Sequence, residues 1–167
     1  YTEQGLYLDA LGDRAAAEAC FTKARALQDP KKREVDLVLL ELEAKRGNAK
    51  RAIELPKDAM GDSPSAVMLL RLADLQLVDR QYADARATVE KVRGVLGASP
   101  PAESQRQLEM LVSGLAAGEA DELRDAGKRD EANAKAEEAL AALSRAELAS
   151  PSDLFAPLRR VQILRGL

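Results

Sequence analysis

Gly12-Asp13-Arg14-Ala15-Ala16-Ala17-Glu18-Ala19-Cys20-Phe21-Thr22-Lys23-Ala24-Arg25-Ala26-Leu27 has the form of a chain turn followed by one amphipathic helix. Gly12-Asp13 interrupts the apolar pattern before it, and the residues that follow favour helix up to a break at Asp29-Pro30. Ala17, Phe21 and Ala24 share one helix face at i, i+4 and i+7. Small residues there let a second helix come close, and the larger ring fills the gap that remains.

The same punctuation recurs along the chain. Asp29-Pro30, Ser63-Pro64 and Ser99-Pro100-Pro101 are spaced 34 and 36 residues apart, and Ser150-Pro151 follows after 51. A small polar residue before Pro suits a helix start, with the polar side chain as cap and Pro in the first turn. Between these marks lie Gly12-Asp13, Gly47-Asn48, Asp79-Arg80-Gln81 and Gly127-Lys128. Each unit therefore reads as helix, short turn, helix and a Pro-marked link. The period predicts helices over 2–11, 14–28, 32–46, 49–60, 65–78, 82–96, 102–125, 129–149 and 153–165, with strand-type alternation nowhere sustained. Pro56 predicts a kink or early end inside 49–60. Gly114 and Gly118 in 102–125 admit either a break or a small-residue seam where another helix approaches, with the unbroken helix preferred. The last helix, carrying Leu154, Phe155, Leu158, Val161 and Leu164, is expected to cover the fourth unit. Arg159, Arg160 and Arg165 are expected on its wet side.

Composition narrows the function. Ala (31) and Leu (26) supply about a third of the 167 residues. The formal charge of −3 gives no basic field for nucleic acid, and 3% aromatics without Trp give no stacking platform. With no His and the single Cys20, the commonest general base, metal ligand and thiolate clusters are missing. Gly94 and Gly97 do not form a phosphate loop, and Asp58 to Asp62 is too sparse for a cation loop. No catalytic residue, metal ligand or cofactor is assigned. The most apolar run, Leu37–Leu42, is far short of the ~18 residues that span a bilayer. The chain opens on Tyr1 within a helical pattern, which reads as a piece of a longer protein.

With its neighbours at matching spacing, the Gly12–Leu27 unit resembles the tetratricopeptide repeat family: Gly-Asp at the turn, then Ala17, Phe21, Ala24 and Pro30. The third unit matches through Leu72-Ala73, Tyr82, Ala85, Val89 and Val92. The second matches through Gly47, Ala52 and Ala59, with Pro56 where an aromatic is usual, and the fourth through Gly127, Ala132, Ala136 and Ala139. The resemblance implies an all-α, right-handed α-solenoid of about four helix pairs (1–30, 31–62, 63–98 and 99–149) and a capping helix at 151–167. It implies a non-enzymatic scaffold that binds protein or peptide in a concave groove lined by the first helix of each pair.

Carried over position by position, the groove candidates are Asp9, Glu41, Lys45, Leu70, Asp74, Leu77, Asp121 and Arg124, with Val78 beside them. Asp9, Glu41, Asp74 and Asp121 would form an acidic stripe suited to a basic or apolar–basic partner. The Ala-, Leu- and Arg-rich style also resembles the periplasmic repeat arms of bacterial exopolysaccharide export proteins, of the kind that export cellulose or the cationic Pel polymer. That second reading implies a spacer between an inner-membrane synthase and an outer-membrane pore, with the periplasm favoured over the cytoplasm. Apolar faces at incomplete end repeats would also permit self-association.

Overall fold

The breaks read from the sequence become copies of one backbone turn. In the computed structural model, Gly12, Gly47 and Gly127 adopt φ of +85, +76 and +76°, and Arg80 adopts +57° at the corresponding place. Each turn carries the same two hydrogen bonds. The Gly12 N–H donates to the Asp9 carbonyl (2.9 Å) and the Asp13 N–H to Leu8 (3.0 Å). Gly47 and Asn48 donate to Ala44 and Glu43, Arg80 and Gln81 to Leu77 and Gln76, and Gly127 and Lys128 to Arg124 and Leu123. This is the Schellman motif, which satisfies the last carbonyls of one helix and reverses the chain. No Cβ at the three glycines would meet a neighbour within 4 Å, so backbone conformation rather than space selects glycine there.

The structure describes residues 1–29, 34–48, 50–54, 65–150 and 155–165. Among them every regular element is helical, and no strand occurs. The helices are α1 (Thr2–Ala10), α2 (Arg14–Leu27), α3 (Glu34–Lys45), α4 (Ala66–Val78), α5 (Tyr82–Leu96), α6 (Ala102–Asp125), α7 (Arg129–Ala149) and α8 (Phe155–Arg165), with a further helical stretch at 50–54. The chain divides into two compact units, Tyr1–Ser65 and Ala66–Leu167.

In the first unit α1 pairs with α2, and α2 meets α3. Gly5 is buried beneath Phe21; a Cβ at Gly5 would lie 2.7 Å from the ring. The Asp13 side chain caps α2 by accepting from the Ala16 N–H at 3.1 Å. Asp36 is buried near the start of α3, where Arg25 Nε (2.6 Å) and Gln28 Nε2 (2.8 Å) meet its carboxylate. The kink expected at Pro56 falls on residues outside those described, as do Pro30, Pro64 and Pro151.

In the second unit α4–α5 and α6–α7 are antiparallel hairpins, α6 packs on both α4 and α5, and α8 packs on α7. Positions 11 and 7 residues before the turn residue and 5, 9 and 12 after it form the seam of each hairpin. They are Leu69, Ala73, Ala85, Val89 and Val92 in the first hairpin, and Ala116, Ala120, Ala132, Ala136 and Ala139 in the second. All ten are 3% exposed or less. Thr88 Oγ1 lies 2.8 Å from Gln76 Oε1, a buried polar link across the first hairpin.

Helix α6 is unbroken over 24 residues, and its glycines are the seam. A Cβ at Gly114 would lie 2.7 Å from Leu77 Cδ2, and one at Gly118 would lie 2.6 Å from the Tyr82 ring. At its start the expected cap is not seen. Pro101 itself is the N-cap, with ψ of 142° and no side-chain hydrogen bond, so both prolines precede the first turn.

Helix α8 corrects a second expectation. Leu158, Val161 and Leu164 do not cover the fourth unit; they are 65, 48 and 50% exposed. Ile163 is the buried apolar residue, and it joins Ala116, Ala120, Ala136, Ala139 and Leu143 in one cluster. Arg159 and Arg160 turn inward instead of to water. Their aliphatic stems can cover apolar surface while the guanidiniums find oxygen acceptors. Arg160 Nη2 donates to Glu147 (2.6 Å) and to Ser144 Oγ (3.1 Å), and Arg159 Nη1 to the Met110 carbonyl (3.3 Å).

Candidate functional site

The inward turn of Arg159 places it in a concave part of the second unit. One cleft of about 430 Å³ is lined by α4 (Val67, Leu70, Arg71, Asp74, Leu77), α6 (Arg106, Gln107, Met110, Leu111) and Arg159 of α8. A second, of about 300 Å³, has Leu77 and Arg159 in common with it and adds Tyr82, Asp121, Arg124 and Ile163 among others. Leu70 is buried on the floor, Leu77 is half-buried and Asp74 is exposed. Gly114 and Gly118 lie along the second cleft, where the missing Cβ atoms admit Leu77, the Arg159 guanidinium and the Tyr82 ring. Burial raises the Tyr82 phenol above its ordinary range, although Arg80 opposes the shift.

Five of the candidates read from the sequence therefore line these two clefts: Leu70, Asp74 and Leu77 in the first, and Leu77, Asp121 and Arg124 in the second. Val78 is exposed and lines neither. Asp9, Glu41 and Lys45 belong to the first unit. There Asp9 is half-buried and ion-paired with Arg46, whose other nitrogen meets Glu43. Asn48 Nδ2 donates to the second Glu43 oxygen at 2.9 Å, so the group is a closed polar cluster at the end of α3. Glu41 is half-buried and engaged in an interaction of its own, and Lys45 is exposed.

Of the four carboxylates expected in an acidic stripe, Asp74 and Asp121 line these clefts. Among the described lining residues they are the carboxylates, beside Arg71, Arg106, Arg124 and Arg159. Asp121 is itself ion-paired with Arg124. The two aspartates sit where the first-helix positions put them. Arg106 and Arg159 come from outside the groove positions carried over from the repeat pattern, and with Arg71 and Arg124 they set four arginines against two aspartates in the described lining. Arg106 is braced by Glu103, which accepts from Nε (2.9 Å) and Nη2 (2.7 Å). With a further bond from Gln107, this holds the exposed Glu103 carboxyl down to about 2.

A separate charge network ties α5, α6 and α7 together. Arg86 grips Glu119 through Nε (3.0 Å) and Nη2 (2.5 Å) and reaches Glu138 at 3.5 Å. Lys135 Nζ meets Glu119 (2.9 Å) and Glu138 (2.8 Å). Burial alone would raise the Glu119 pKa, but the bonds from Arg86 and Lys135 outweigh it and hold the carboxyl below its ordinary range. Arg86 is held above its ordinary range, chiefly by the bond to Glu119. Every member is engaged by another, so the network reads as a clamp between helices.

Among the described residues no cluster of His, Cys, Asp and Glu is arranged to hold a metal ion, and no helix is long and apolar enough to cross a membrane. No family model matches the chain, and comparison with curated proteins and with solved structures gives no significant match.

Proposed function

We propose that the chain is a tetratricopeptide-like scaffold, a right-handed solenoid of helix pairs without catalytic activity, that binds a segment of another protein. The binding surface is the cleft bounded by α4, α6 and α8 in the second unit. The carrying observation is that α4 and α6, the first helices of their pairs, line two adjoining clefts with α8, and that Leu70, Asp74, Leu77, Asp121 and Arg124 among the lining residues stand at positions that the repeat pattern names. The recurrent Schellman turns and the buried seam alanines support a repeat origin for these pairs. An apolar floor with polar groups around it suits a peptide in a groove.

Selection of a random dodecapeptide display library on the immobilised chain tests this reading. Enriched peptides should lose binding at least tenfold on Leu77→Asp, which places a charge in the cleft wall. They should keep it on Lys91→Glu, an exposed change on α5. Equal binding to both variants, or no enrichment over a blank surface, would contradict the assignment.

A further inference from the structure

Arg159 of α8 stands where the two clefts share their lining. Arg159 is half-buried and lines both clefts. Among the described residues its guanidinium forms no ion pair, and its one hydrogen bond goes to the Met110 carbonyl at 3.3 Å. Gly114 makes that position possible, because a Cβ there would stand 3.1 Å from Arg159 Nη2. A glycine inside a helix costs about 1 kcal/mol relative to alanine, so the space is opened against local propensity.

A partly desolvated guanidinium without a counter-charge is an electrostatic deficit that a carboxylate corrects, and its planar fork suits two parallel bonds to one carboxylate. Nearby, Arg124 Nε is buried and meets no acceptor among the described residues. Around these cations stand Leu70, Leu77, Met110 and Val67, an apolar lining that favours a polypeptide over a nucleic acid. The chain's overall charge of −3 does not oppose this, because at physiological salt charges beyond about 8 Å are largely screened and the lining decides the local field.

We propose that the joined clefts seat an acidic–apolar protein segment, with one partner carboxylate held in the fork of Arg159 and apolar side chains laid against Leu70, Leu77 and Met110. The inference rests on the peptide-binding reading above and adds its chemistry. Asp74 is the cleft's own exposed carboxylate, so it repels the partner and tunes its affinity downward.

The test uses the full chain and the dodecapeptide library. Enriched peptides should pair Asp or Glu with Leu, Ile, Phe or Met. A synthetic peptide of the leading sequence should bind about tenfold more weakly to Arg159→Gln, and Asp74→Asn should tighten it severalfold. Replacing the peptide's key Glu by Gln should cost a similar tenfold on the native chain and little on Arg159→Gln, the signature of a direct pair. Circular dichroism and melting curves of the variants separate lost contact from lost folding. Enrichment of Lys- or Arg-bearing peptides would overturn the proposal. So would acidic peptides that bind native and Arg159→Gln chains alike, though the groove itself would stand. Absence of any enrichment would overturn both readings.

Discussion

The two hairpins of the second unit close the same turn geometry over different seams. In α4–α5 the register carries Leu69, Ala73, Ala85, Val89 and Val92; in α6–α7 it carries alanine at all five places. Bulk fills the first interface. The second must be filled by approach of the helix backbones, since alanine offers one methyl per position. Alanine buries little apolar surface, so such a seam needs length, and α6 and α7 run 24 and 21 residues against 13 and 15 for α4 and α5. The Arg145–Glu109 pair, at 2.9 Å, ties the added turns together. Two helical hairpins can thus keep one turn geometry and exchange side-chain volume for helix length. The long helix that results carries both Met110 and Gly114 to the cleft.

The difference can be broken most forcefully by swapping volumes in register. Leu69→Ala should open a cavity in the bulky seam and cost about 3 kcal/mol. Ala116→Leu, its counterpart, should overpack the alanine seam and cost about 2 kcal/mol. Urea denaturation of each variant reads both values. If Ala116→Leu proved neutral, the helices of α6–α7 would not be in the close contact described.

The clamp sharpens the comparison from outside the seams, because it spans α5, α6 and α7. Glu119→Gln should cost about 1–2 kcal/mol at neutral pH, less than a fully buried pair because Arg86 is partly exposed. Glu119 is held below its ordinary 4.5, so its contribution is complete above that pH and is lost as pH falls through the lower folded value. The native chain should therefore lose stability below about pH 4.5, and Glu119→Gln should lose less over the same window. Parallel acid limbs in the two proteins would remove the clamp from the account.

The smallest effect lies at the turns. Arg80 holds at φ +57° the place that Gly12, Gly47 and Gly127 hold elsewhere. Arg80→Gly should gain about 0.5–1 kcal/mol by relieving left-handed backbone strain. Gly127→Ala should lose a similar amount, because no side-chain contact offsets its strain. Thermal melts of the two variants against the native chain read both signs.

Much of this fold was legible in the sequence, and the exceptions are instructive. Gly12, Gly47 and Gly127 marked the turns because glycine alone takes that backbone freely, and Ala17, Ala52, Ala85 and Ala132 marked the seams because they recur five residues beyond. The end of α4 was legible only through Asp79-Arg80-Gln81, a polar interruption that lacks the glycine. What misled was α8. Its leucines and valine suggested a buried stripe and its arginines a wet face, while the structure sets Arg159, Arg160 and Ile163 against α6 and α7. A charge-based reading cannot see that an arginine stem is apolar or that Gly114 leaves room for the Arg159 guanidinium beside the Met110 carbonyl. The arginines of the cleft were not legible for a related reason: its aspartates lie on positions the repeat pattern names, and Arg106 and Arg159 do not.

Methyl and amide NMR of the full chain, titrated with a selected acidic–apolar peptide, shows whether one face of the second unit receives a peptide. Shifts should be confined to Leu70, Asp74, Leu77, Met110, Gly114 and Arg159, with Glu90 and Lys91 on α5 unmoved. Shifts centred on α5, or on the exposed Leu158, Val161 and Leu164 of α8, would contradict that placement.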